Sequence, residues 1–466
     1  MARREPAFDG IFSWIGVLAS VGGTIIAMAA VPLNAAKQGM LILPSLGMVL
    51  CLLVAPTVSG LLSLRNLLRT ENVIALAPVY WMFLDLLQGN YELTGLGQAD
   101  IRLTYAAVGT FCTMYWLGTM GRRLKLPRQL QELGRMSIPT SALFYIGFLM
   151  FVLGICAFAI PSRFNIAVML NAFTMDRWSA PWARGQLGGW DAFTDHLAYF
   201  GYLLPTVTVM LSQRRGWAHP STIIMVIFSV IFMMFLGHGG SRRIVGTCLG
   251  AAIVCWMLAQ PKIKIVHLFV SLLLIGSVLW LMQLMLMARM QGYQEVGGLS
   301  KHVTAGLSGK IETNNSKLQV EDNFYRLSQT MQVIPKLHPY VNFKYVFYVA
   351  VRPIPRAIWK NKPIDGGFAI HDMVGQGASL SVTIIGELYS SYGFIAIALG
   401  GWIVGKLTRL NAPFFTGNPF TFSTALYGYM TMWLMVGYRS MAELILFSYP
   451  VLALIAISTF MFRRKA

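Results

Sequence analysis

Residues 265–287 read IVHLFVSLLLIGSVLWLMQLMLM, a run of 23 positions without a single Asp, Glu, Lys or Arg. A helix rising about 1.5 Å per residue needs about 20 apolar residues to cross the roughly 30 Å of hydrocarbon in a bilayer, so this run is long enough to span one. Similar runs lie near 11–31, 41–63, 73–87, 103–121, 139–160, 196–211, 220–236, 244–259, 386–405, 419–436 and 443–461, about twelve in all, the third, sixth and eighth being short. The chain of 466 residues is 56% hydrophobic and only 12% charged, with a mean hydropathy of +0.60, far outside the range of soluble domains. The expected fold is therefore an all-α polytopic membrane protein. Residues 1–287 hold the first nine spans with short loops, 288–379 form one large, partly helical loop, and 380–466 hold the last three spans.

A net charge of +19 would point to nucleic acid in a soluble protein. In a membrane protein it reads instead as the bias of cytoplasmic loops toward Lys and Arg, so no nucleic-acid partner is expected. With both termini cytoplasmic, one face collects Arg65/Arg69, Arg122/Arg123/Lys125/Arg128/Arg135, Arg214/Arg215, Lys262/Lys264 and Lys406/Arg409. The basic, apolar N-terminus is too long for a signal peptide and lacks a small-residue cleavage site, so it reads as the first span. All five cysteines fall inside apolar runs, which argues against a disulfide framework or a thiol metal site.

Cations on the opposite, outer face run against that bias and need a reason. Arg242 and Arg243 follow the Gly-rich turn at 237–240, and Arg439 is the lone cation of the short loop at 437–443. Arg352 and Arg356 flank a Pro-stiffened segment of the large loop. Guanidiniums offer paired donors to phosphate oxygens, and glycines let backbone amides approach a ligand closely. These five arginines from three loops suggest one site for a strongly anionic group at headgroup depth, best matched by a lipid-linked diphosphate. Snorkelling to ordinary headgroups is the plainer alternative for the arginine pair.

Carboxylates near the membrane boundary are costly to place and are functional suspects for that reason. Glu387 falls near the outer end of its span, where it would activate or orient an acceptor hydroxyl, with His238 or His371 as alternative bases. Glu443 stands four residues after Arg439, the spacing of an ion pair on one helix, and Asp85 lies near the outer end of the third run. Trp178, Trp182 and Trp190 in the third outer loop would stack on sugar faces or anchor the loop at the interface. Within the large loop, residues 320–333 have the pattern of an amphipathic helix, with Phe324, Leu327 and Met331 on one face and Asp322, Arg326 and Gln329 opposite. Residues 343–351 form a second helix or a re-entrant segment. No His or Cys spacing typical of a metal site occurs, and several cations can stabilise a departing diphosphate, so neither metal nor cofactor is expected.

Gly240-Ser241-Arg242-Arg243 at the head of a span, Ile354-Pro355-Arg356 followed by Lys362-Pro363, Gly386-Glu387-Leu388-Tyr389 with Tyr392-Gly393, and Arg439-Ser440 between the last two spans carry a family resemblance. In these motifs, and in their order along about the whole chain, the protein resembles the bacterial O-antigen polymerases of the Wzy type. The resemblance implies a GT-C-like membrane glycosyltransferase of the bacterial inner membrane with its active site facing the periplasm. It implies transfer of a glycan from undecaprenyl diphosphate to a lipid-linked repeat unit, with membrane lipids, a chain-length regulator protein and a flippase as further partners. An O-antigen ligase acting on lipid A core shares the donor and the cation logic. A flippase of lipid-linked glycans is the non-enzymatic alternative, and it would need charges along mid-membrane that the span centres lack.

Overall fold

The computed structural model describes residues 10–89, 93–121, 124–126, 128–173, 175, 179–183, 191–238, 242–288, 301, 304, 321–352, 354, 358–363, 366–368, 370 and 381–452, with backbone alone at 129, 191–193, 242 and 282–288. Among the described residues all regular structure is helical, apart from one isolated bridge between Ser137 and Thr421. The principal helices are α1 (Gly10–Ala30), α2 (Ile42–Leu62), α3 (Gln98–Gly118), α4 (Thr140–Ala159), α5 (Leu204–Arg215), α6 (Pro220–His238), α7 (Arg242–Leu258) and α8 (Ile265–Ala288). The large loop contributes α9 (Asn323–Val333) and α10 (Lys344–Val351), and α11 (Thr383–Thr408), α12 (Ser423–Gly437) and α13 (Met441–Leu446) complete the set.

Five described helices are long and apolar enough to cross a membrane: α1, α2, α4, α6 and the stretch Thr383–Phe414 that contains α11. Shorter apolar helices cover Arg243–Leu258, Ile265–Leu281 and Met441–Leu452. The outer faces carry large apolar side chains such as Leu18, Ile25, Leu43, Phe148, Ile227, Leu272 and Ile395, all exposed. Water would penalise such a surface and a bilayer accepts it, as expected of a helical membrane protein.

Several of the twelve apolar runs are interrupted. Run 73–87 divides into Thr70–Ala75, a wide turn at Val79–Phe83 and Leu84–Leu87. Pro78 lies at the break, where it offers no amide hydrogen to continue the helix. Run 196–211 divides into Ala198–Gly201 and α5, which restarts with Pro205 in its first turn, where the missing amide costs nothing.

The helices pack around two apolar cores. One is built by α1, α2, α3 and α11, with α9 closing its end. The other is built by α4 to α7 and α12. Phe324, Leu327 and Met331 of α9 are buried in the first core, as their spacing predicts. Arg326, expected on the solvent side, is also buried, and it is neutralised by Asp322 at 2.6 Å and bonded to Gln329 at 2.9 Å.

Cations mark one end of this bundle. Arg65 donates to the Thr416 carbonyl, and Arg214 donates to those of Pro419 and Ile138. Lys406 and Arg409 at the far end of α11 donate to the carbonyls of Met120 and Thr119 just past α3. Cations bonded to helix C-terminal carbonyls satisfy acceptors that have no intrahelical donor. The large-loop helices α9 and α10 sit at the opposite end, which is the end that holds Glu387.

Helix α11 breaks at Tyr392 and Gly393. Tyr392 (φ −149°, ψ 29°) and Gly393 (φ 62°, ψ −145°) leave the helical region. The carbonyls of Ser390 and Ser391 accept instead from the amides of Val341 and Asn342, at 2.9 and 3.2 Å. This exchange ties the large loop to the helix that carries Glu387. The Gly393 torsions belong to a region that essentially only glycine occupies, at a cost of about 1–3 kcal/mol for other residues. Gly393→Ala is therefore expected to lower the melting temperature of the purified protein. Gly22→Ala in α1, where an added Cβ meets nothing within 4 Å, should leave it nearly unchanged. Equal melting temperatures for the two variants would show that the break tolerates a side chain.

Candidate active site

Glu387 lies in the first turns of α11, 5% exposed. Just before it, Thr383 adopts a left-handed backbone (φ 59°), unusual for a β-branched residue and a local strain at the start of the helix. A carboxylate so deeply buried must find donors, since an unsatisfied charge costs far more than a hydrogen bond returns. It finds them on two other segments. Tyr345 of α10 donates its hydroxyl to Oε1 at 2.5 Å, Ser440 donates its hydroxyl to the same oxygen at 2.6 Å, and the Met441 amide donates to Oε2 at 2.6 Å. A carboxylate offers about four lone-pair positions. Among the described residues no donor fills the remaining acceptor position, on Oε2.

Tyr345 is held against Glu387 by the chain beyond it. A Cβ on Gly366 would come within 2.2 Å of the Tyr345 ring, so only glycine lets that segment lie flat on it. Burial, and then the charge of Glu387, push the Tyr345 hydroxyl well above its usual pKa. It therefore stays protonated, as the donor this contact requires. Ser440 caps α13, its hydroxyl accepting from the Ala442 amide, while it donates to Glu387.

Beside Glu387 stands a chain of alternating charges. The Arg439 Nε donates to both oxygens of Glu321, at 2.9 and 2.7 Å, and its Nη1 is 3.6 Å from Glu443 Oε1. The same Glu443 oxygen is 3.1 Å from the Nε of Arg243 at the head of α7. The i,i+4 pair expected between Arg439 and Glu443 is present, and Glu443 also bridges to a second arginine. Burial disfavours the Arg439 charge, but Glu321, Glu443 and Glu387 outweigh it and push its pKa up. Asp85, 4% exposed, accepts from the Glu321 amide at 3.1 Å and so helps to fix that residue beside Arg439.

Arg352 lies on the same stripe of α10 as Tyr345. Its Nη1 donates to the Tyr348 hydroxyl at 2.8 Å, and its guanidinium lies 5.7 Å from the centre of that ring. Lys362 donates to the carbonyls of Arg352 and Ile354, at 3.1 and 2.7 Å, which anchors the end of the helix. Among the described residues no carboxylate pairs with Arg352, which distinguishes it from Arg439 and Arg243.

His238 and Trp182 meet in an aromatic cluster at the end of α6. His238 packs edge-on against Phe173 and Trp182, with ring centres 5.5 and 5.7 Å apart, and Trp182 also meets Phe158 and Phe235. Arg356, His371, Trp178, Trp190 and the side chain of Arg242 lie outside the described residues.

The sequence thus pointed to Glu387, Arg243 and Arg439 and, of the residues that hold them, to Glu443. Ser440 appeared only as the neighbour of Arg439 in a motif. Tyr345 left one legible signal, the spacing of Tyr345, Tyr348 and Arg352 along one helical face. Glu321 left none, being 118 residues from its partner Arg439.

Compared with protein-family models, curated proteins and solved structures, the chain matches none.

Proposed function

We propose that the protein is a polysaccharide polymerase that transfers a glycan from undecaprenyl diphosphate to a lipid-linked repeat unit at the periplasmic face of a bacterial inner membrane. In this reading the chain has a twelve-span, GT-C-like arrangement with both termini cytoplasmic. The gathering of basic loops at the bundle end remote from Glu387 supports that orientation. The observation that carries the reading is one carboxylate, Glu387, with an acceptor position open on Oε2, beside arginines that come from separate segments.

The chemistry follows from that arrangement. An acceptor sugar hydroxyl gives its proton to Glu387 as its oxygen forms a bond to the donor's anomeric carbon. The bond from that carbon to the diphosphate breaks, and its electron pair leaves with the lipid diphosphate. Displacement from the opposite face inverts the anomeric centre. Arg352, which has no carboxylate partner among the described residues, together with Arg243 and Arg439, meets the charge developing on the leaving group. The incoming diphosphate replaces Glu321 on the Nε edge of Arg439, one anion exchanging for another. Arg242 and Arg356 are assigned to the same clamp by their sequence positions. No cofactor is invoked.

The test is incubation of the purified protein with a defined undecaprenyl-diphosphate repeat unit. A ladder of products differing by one repeat is expected. Transfer confined to added lipid A core would make the protein a ligase, and movement of the substrate across vesicles without a new glycosidic bond would make it a carrier. Either result overturns the polymerase reading.

A further inference from the structure

Helix α10 has two chemically opposed faces. Tyr345, Tyr348, Val349 and Arg352 follow one another at helical spacing on the side of Glu387. The other side presents Phe343, Val346 and Phe347, exposed by 71%, 47% and 51%, and Ile358 just beyond the helix is exposed by 70%. A short helix with so much uncovered apolar surface needs something other than water against it.

The position of this ridge indicates what covers it. The Phe343 ring packs 5.1 Å from the ring of Tyr392 at the break in α11. Beyond the break the exposed side chains Ile395, Leu399, Trp402 and Ile403 form one stripe along α11 at helical spacing. That stripe lies on a helix long and apolar enough to cross a membrane. The ridge of α10 therefore prolongs a lipid-facing surface without interruption. Lys344 and Lys360, both exposed, lie close in sequence to the ridge, where their amines can reach headgroups while their stems stay in apolar surroundings.

We propose that α10 is an interfacial helix, seated with Phe343, Val346, Phe347 and Ile358 among the acyl chains of the leaflet at the Glu387 end. Lipid contact and the hydrogen bond from Tyr345 to Glu387 are then opposite faces of one helix. The inference holds whichever reaction the site performs, because it rests on the apolar ridge and its continuity with α11.

The test is a fluorophore attached at Phe347→Cys, and separately at Val346→Cys, in full-length protein reconstituted into phosphatidylcholine vesicles containing lipid brominated in its acyl chains. The unsubstituted protein, treated in parallel, gives the background from its native cysteines. Expected is strong quenching by the brominated lipid, together with quenching by aqueous iodide several-fold weaker than at Lys360→Cys. Iodide quenching equal to that at Lys360→Cys would place the face in water and overturn the proposal. Protection from both quenchers would mean that a second protein surface, such as another copy of this chain, covers it, and would also overturn the proposal. Either of the two ridge variants suffices if the other does not incorporate.

Discussion

Glu387→Gln should lower the rate of glycan transfer by about 10²–10⁴-fold, the usual contribution of a positioned general base, while leaving the protein folded. The fold is expected to survive because the amide keeps the shape of the carboxylate. Its oxygen can turn toward the Met441 amide, and its nitrogen can then donate to the hydroxyls of Tyr345 and Ser440, which rotate to accept. What disappears is the negative charge, and with it the basicity that lets the oxygen beside the Met441 amide take a proton. Initial rates with a lipid-linked repeat unit, measured beside the melting temperature, separate the two effects. A parental rate in a folded Gln variant would remove Glu387 from the chemistry and leave it as a tie between α10, α11 and α13.

Arg439 carries the second large expectation, and it divides into stability and rate. Arg439→Ala leaves Glu321 without its cation, leaves the buried Glu443 with Arg243 alone, and withdraws a positive charge from Glu387. Removing one partner of a buried pair costs about 3–5 kcal/mol, so this variant should melt far below the parent. Arg439→Lys returns the charge but not the planar fork that meets carboxylate or phosphate oxygens in pairs. It should recover most of the melting temperature and still lose about 10²–10³-fold in rate, as expected when one preorganised donor to the leaving group is removed. If the Lys variant transferred glycan at the parental rate, a point charge would be enough and the clamp as drawn would be wrong. The contrast matters because the alanine variant alone cannot separate lost catalysis from lost folding.

This division of roles was invisible before the neighbours of Arg439 were known. Read as a sequence, Arg439 has one expected partner, Glu443 four residues on, and otherwise stands as the lone cation of a short outer loop. In the structure its Nε edge already holds Glu321, and Glu443 lies between it and Arg243. Among the described residues the charges around Arg439 and Arg243 are thus largely paired, and under the proposed reaction an anionic substrate would exchange with Glu321. Arg352, bonded to Tyr348 with no carboxylate partner among the described residues, keeps the character that the sequence suggested for the whole set. The ring of His238, which the sequence offers as an alternative base, packs edge-on against Phe173 and Trp182.

Composition and the length of apolar runs determined by themselves that this is a helical membrane protein, because crossing hydrocarbon demands long uncharged helices and little else. Helical spacing likewise located α9, since Phe324, Leu327 and Met331 repeat with the period of the helix that buries them. The place of Glu387 near the start of its span-length helix and the i,i+4 pairing of Arg439 with Glu443 were legible for the same reason: both are properties of a single helix. Only the tertiary structure decided which groups neutralise which. Glu387 takes donors from α10 and from the turn before α13, and Arg439 takes Glu321 from the far side of the chain. Such partners are selected by burial and proximity after packing, and a carboxylate's distance along the chain carries no trace of where packing will bring it.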